Sequence, residues 1–125
     1  MAQRILIVDD NDNADAARAL SLLLEAGGHD VRVATDPVSA LRLLDGFTPQ
    51  VAVLDIDLPL MDGYELAARL REKLGPDACR LLAVTGYEHE CGGVKSVEAG
   101  FEQHLVKPVR PRAMLAAVNG QAVAQ

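Results

Sequence analysis

The sequence predicts an α/β fold: a doubly wound, five-stranded parallel sheet with helices on both faces. Three observations predict it. Residues 5–8, 51–54 and 81–84 are unbroken apolar runs of strand length, the signature of strands buried on both faces. Segments with helical periodicity separate these runs, which is the pattern of right-handed βαβ units. Each run ends abruptly in a polar residue, at the carboxyl edge where open α/β sheets bind their ligands.

The elements follow in order. Residues 4–8 form the first strand, which ends in Asp9-Asp10 and is central in the sheet. Asn11, Asp12 and Asn13 supply helix-capping chemistry. Ala16, Leu20, Leu23 and Leu24 mark one helical face, and Gly27-Gly28 stops that helix before His29, a turn residue. Residues 31–34 are a short strand. Asp36-Pro37 pairs a cap with a proline at the first helical position, and Ala40, Leu41 and Leu44 face inward. Residues 51–54 form the most apolar strand and run into Asp55. A loop over 56–62 leads to Asp62-Gly63-Tyr64-Glu65, a helix start resembling a capping box. Leu66, Leu70 and Leu74 carry that helix's apolar face, and Gly75-Pro76-Asp77 ends it. Residues 80–85 are a strand ending in Thr85, 86–93 a polar loop, and 94–99 a short helix stopped by Gly100. Residues 103–107 form the last strand, closed by Lys107-Pro108. Pro111 opens a final helix with Met114, Leu115 and Val118 inward, and 119–125 read as a tail.

Composition narrows the function. The 125 residues suit one domain, and half are hydrophobic, so a sizeable core forms. With aromatic residues at 3% and no Trp, that core is built of Leu, Val and Ala. A net charge of −6 argues against a nucleic-acid surface. No apolar run approaches the ~20 residues of a membrane span, and Arg4 leads directly into a strand rather than a leader. Two cysteines, Cys79 and Cys91, make no disulfide framework, so a reducing, cytoplasmic setting is expected.

The polar residues at the strand ends carry the chemistry. In a parallel sheet Asp9, Asp10, Asp55, Thr85 and Lys107 share one edge. Three close carboxylates repel one another, and a hard divalent cation such as Mg²⁺ relieves the conflict through oxygen ligands. A hydroxyl and an ammonium suit the oxygens of a phosphoryl group. A carboxylate can itself be the nucleophile, forming an acyl phosphate. The set points to Mg²⁺-assisted phosphoryl transfer onto an aspartate. Asp55 is the central candidate.

With these residues in place, the sequence resembles a bacterial two-component response-regulator receiver domain. The matching marks are Asp9-Asp10, the stretch Asp55-Ile56-Asp57-Leu58-Pro59-Leu60-Met61-Asp62-Gly63, Thr85-Gly86 and Lys107-Pro108, spanning residues 4–118. The wording around Asp55 and the Gly86-Tyr87 pair are closest to receivers of hybrid sensor histidine kinases. The resemblance implies a flavodoxin-like (βα)5 sheet in the order 2-1-3-4-5. It implies that Asp55 accepts a phosphoryl group from a histidine kinase or phosphotransfer protein. Asp10 and Asp55 would ligate Mg²⁺ by side chain, Asp57 by its backbone carbonyl, and Asp9 through a water. Lys107 would pair with a phosphoryl oxygen, its peptide bond to Pro108 would be cis, and Thr85 would turn toward the phosphate. The chain departs from the family three residues before the lysine, where Tyr or Phe is usual and His104 stands.

The expected protein is a phosphoacceptor switch rather than a turnover enzyme. It would be a free-standing regulator or the receiver of a hybrid kinase, monomeric or weakly homodimeric, with no nucleic-acid or membrane partner. The alternative is a small phosphatase of the haloacid dehalogenase type, using Asp55 as nucleophile and Asp57 as general acid–base. That family needs a longer core and a late acidic pair, whereas here the pair comes first. Glu88-His89-Glu90-Cys91 reads as a solvated loop, because four adjacent side chains cannot all face one ion.

Overall fold

A computed structural model describes residues 3–9, 14–56, 63–75, 78–85, 100–106 and 110–120. Five strands, β1 (Arg4–Val8), β2 (Asp30–Ala34), β3 (Val51–Asp55), β4 (Arg80–Thr85) and β5 (Phe101–Val106), form one parallel sheet in the order β2-β1-β3-β4-β5. Among the described residues there are four helices: α1 (Ala14–Ala26), α2 (Pro37–Leu43), α3 (Gly63–Leu74) and α4 (Pro111–Val118). The helix expected over 94–99, the loop over 86–93 and the residues 121–125 of the tail lie outside the described residues.

The apolar strands are buried on both faces, as their composition predicts. Every residue of β3 is buried, and so are four of the five in β1. Edge strand β2 is exposed at Asp30, Arg32 and Val33 and buries Val31 and Ala34, one on each face of the sheet. Two cores result. One packs α2 and α3 on the sheet through Leu6, Val8, Leu54, Leu66, Leu70 and Phe101. The other packs α1 and α4 through Ile5, Ile7, Leu24, Val53, Met114 and Val118.

Local sequence sets the helix ends. The Asp36 carboxylate accepts from the Ser39 backbone N–H at 2.7 Å and from its hydroxyl at 2.9 Å. These bonds favour the ionised carboxylate and lower its pKa. At the end of α1, Gly28 takes φ +94°, His29 N–H donates to Leu24 C=O at 3.2 Å and Gly28 N–H to Glu25 C=O at 2.9 Å. This paired closure is the Schellman motif, which needs the left-handed residue that glycine supplies.

The last strand differs from its expected bounds. It begins at Phe101 rather than at residue 103, and it contains a bulge. Leu81 pairs with Phe101, but Leu82 pairs with Gln103, so β5 carries one extra residue at Glu102. Bulges break the two-residue alternation of a strand. Here the break puts Phe101, opposite Leu81, and His104, opposite Ala83, on the same sheet face although they stand three positions apart.

Candidate functional site at the carboxyl edge of the sheet

The parallel register brings the strand-end residues together. Val8 pairs with Leu54, so the next residues, Asp9 and Asp55, stand one strand spacing apart, about 4.8 Å. Backbone bonds continue past both: Asp9 N–H donates to Ala34 C=O at 3.1 Å, and Ile56 N–H to Val84 C=O at 3.0 Å. Asp55 pairs with Val84, so Thr85 lies one step further along the neighbouring strand. Asp9, Asp55 and Thr85 therefore end three adjacent central strands on one edge.

Asp55 is only 1% exposed and, with Ser21, is one of two buried polar residues among those described. Ser21 satisfies itself locally, its hydroxyl donating to Arg18 C=O at 2.8 Å. Asp55 sits at the sheet edge beside half-buried Asp9. Two neighbouring carboxylates are a set of hard oxygen donors whose mutual repulsion a divalent cation relieves. The residues present thus fit Mg²⁺ in donor type. Among the described residues no three His, Cys, Asp or Glu side chains converge as a cation cluster. Asp10, Asp57, Lys107 and Pro108, assigned to the site by sequence, lie outside the described residues. The residue before Lys107, Val106, ends β5 opposite Thr85.

His104 extends the picture away from the edge. Its ring lies 6.2 Å from that of Phe101, tilted by 48°, and Phe101 meets Tyr64 edge-on at 5.8 Å. A stack of three rings therefore joins the first turn of α3 to β5. Burial pushes the His104 imidazole below its ordinary pKa, because the charged form loses hydration. Sequence reasoning did not see this stack, since strand alternation assigns residues 101 and 104 to opposite faces.

The chain matches the response regulator receiver domain over residues 5–119. This chain belongs to that family. The receiver domain is 33% identical over 121 residues to the Bacillus subtilis alkaline phosphatase synthesis transcriptional regulatory protein PhoP, covering 95% of this chain and 48% of that protein. It is 36% identical over 115 residues to a 14.6 kDa protein of Leptolyngbya boryana, covering 92% of this chain and 86% of that one. Among solved structures it resembles a CheY-like receiver domain protein of Methanospirillum hungatei, with TM-score 0.84 and 30% identity over 96% of this chain and 93% of that one. A putative response regulator of Chloroflexus aurantiacus is similar, with TM-score 0.82, 30% identity and coverage of 96% and 97%. The chain spans about half the length of the transcriptional regulatory protein PhoP and of the DNA-binding response regulator MtrA that it matches. The match favours a two-component signalling role over the phosphatase alternative. No helix among the described residues is long and apolar enough to cross a membrane.

Proposed function

We propose that this receiver domain is the phosphoacceptor of a two-component phosphorelay and that Asp55 takes the phosphoryl group. The observation that carries the reading is a carboxylate 1% exposed at the end of the central strand β3, with Asp9, the residue after β1, on the neighbouring strand's end. A buried acid at the carboxyl end of a central strand stands where open α/β sheets place their ligand sites. The donor is the phosphohistidine of a histidine kinase or phosphotransfer protein, on the same chain if this receiver is part of a hybrid kinase. An Asp55 carboxylate oxygen attacks phosphorus, the new O–P bond forms as the P–N bond breaks, and the electron pair returns to the donor imidazole.

Asp10 and Asp55 would hold Mg²⁺ by side chain, Asp57 by its backbone carbonyl and Asp9 through water. When bound, the cation neutralises charge on the phosphoryl oxygens. Lys107 pairs with one of those oxygens, and the Thr85 hydroxyl turns toward another in the phosphorylated state. His104 takes the place of the usual aromatic switch residue. The domain, residues 4–118, catalyses only its own phosphorylation and dephosphorylation and works in the cytoplasm.

Intact mass after incubation with acetyl phosphate and Mg²⁺ tests the reading, on wild type and Asp55→Asn. One phosphoryl adduct per chain is expected, absent without Mg²⁺ and absent in the variant. A folded wild type that takes no adduct, or a variant labelled equally well, refutes it.

A further inference from the structure

Gly63 opens α3 and is buried. Its N–H donates to Ile56 C=O at 3.1 Å, tying the start of α3 to the residue that follows the phosphoacceptor. A Cβ built on Gly63 would stand 2.7 Å from Asp55 O, 2.8 Å from Ile56 Cα and 2.9 Å from Ile56 Cδ1. Two of these three atoms are backbone, so no change of rotamer relieves the clash. The need for glycine is steric, because Gly63 is not among the glycines with positive φ: Gly28, Gly75, Gly100 and Gly120.

Neither side of the contact can yield freely. Ile56 N–H is tied to Val84 C=O at 3.0 Å on the sheet side. On the helix side, Leu66, Ala67 and Leu70 anchor α3 in the core at 0%, 0% and 1% exposure. A side chain at position 63 therefore moves the peptide that carries Asp55, or moves α3 off it.

We propose that Gly63 is a positioning residue for phosphoryl transfer: its missing side chain lets α3 seat directly on the Asp55–Ile56 peptide. That seat fixes the backbone that carries the Asp55 carboxylate. The inference rests on Asp55 being the phosphoacceptor. Displacements of a few tenths of an ångström to an ångström in a reacting group cost up to about a hundredfold in rate.

The test compares wild type, Gly63→Ala, Gly46→Ala and Leu24→Ala. Gly46 has nothing within 4 Å of a built Cβ, and Leu24 lies in the opposite core, so the first controls for the substitution and the second for lost stability. Three quantities are read: the phosphorylation rate with acetyl phosphate at saturating Mg²⁺, Mg²⁺ affinity by calorimetry, and hydrogen exchange of the residue-63 amide without metal. Gly63→Ala should fold, phosphorylate about ten- to a hundredfold more slowly, bind Mg²⁺ more weakly and lose amide protection at position 63. Both controls should keep the wild-type rate. Adding Ile56→Val to Gly63→Ala removes only the Cδ1 contact, so the rate should stay low.

A folded Gly63→Ala with wild-type rate and protection overturns the inference. So does rescue by Ile56→Val, which would assign the effect to side-chain crowding. A Gly63→Ala that does not fold overturns it too, by making the residue a packing requirement of the whole domain. Absence of any adduct on wild type is the separate result that refutes the phosphoacceptor reading and takes this inference with it.

Discussion

Replacing Arg80 by Met should destabilise the domain by about 1.5 kcal/mol while leaving the phosphorylation site untouched. Arg80 opens β4 opposite Val51, at the far end of the sheet from Asp55. Its guanidinium donates from Nε and Nη2 to the two Glu102 carboxylate oxygens at 2.9 and 2.8 Å, from Nη1 to Val118 C=O at 2.8 Å and from Nη2 to Ala117 C=O at 2.7 Å. The side chains of the ion pair are 31% and 39% exposed, so solvent screening limits it to about 0.5 kcal/mol. The two carbonyls are not orphaned by the change. Val118 C=O keeps Gln3 Nε2 at 3.0 Å, and Ala117 C=O keeps the Gly120 N–H at 3.0 Å. Each lost bond to a carbonyl therefore contributes about 0.5 kcal/mol, the low end for hydrogen bonds. With an unfolding entropy of about 2.1 cal/mol/K per residue, the loss lowers Tm by about 6 °C. Glu102→Gln keeps the carbonyl bonds and should lose only about 2 °C by the same scaling.

The pair also sets a pH signature. Its hydrogen bonds to Arg80 lower the Glu102 pKa below the ordinary carboxylate range. A carboxylate with a depressed folded pKa contributes stability above its unfolded pKa and loses it as pH falls through the folded value. The gap between wild type and Glu102→Gln should thus shrink below about pH 4.5. Thermal melts by circular dichroism across pH 3–8 measure all of this. An Arg80→Met protein with wild-type Tm, or a Glu102→Gln loss as large as that of Arg80→Met, refutes the reasoning.

Two further outcomes follow from burial. The His104 imidazole has a depressed pKa in the fold, so the unfolded chain binds more protons just below its ordinary value of about 6.5. Stability from this group is complete above that pH and falls as pH drops toward the folded value. His104→Phe should remove that acid-side loss between pH 7.5 and 5.5, and parallel pH profiles for the two proteins would contradict it. Burial also pushes the Cys79 thiol up to about 11. With so little thiolate, its alkylation by iodoacetamide near pH 8 should run about a hundredfold slower folded than unfolded, read by peptide mapping. Equal rates would count against its burial.

The sequence by itself determined the layers and the edge that carries the site. Strands such as β3 are apolar up to their last residue, so both faces must be covered, and parallel pairing then delivers their terminal residues to one edge. That is local chemistry multiplied by topology, and it made Asp9, Asp55 and Thr85 legible as one group. The start of α2 was equally legible, because Asp36 and Pro37 act on their own next turn.

Tertiary structure alone decided three other things. The bulge at Glu102 depends on how β5 registers against β4, and no alternation rule within β5 predicts that Phe101 and His104 share a face. The grip of Arg80 on Ala117 and Val118 joins residues more than thirty positions apart, through a side chain that reads locally as an ordinary strand-end cation. Gly63 looked like part of a helix start. Only the approach of α3 to the Asp55–Ile56 peptide shows that a methyl group there has no room. In each case the deciding contact lies between elements, where spacing along the chain carries no information.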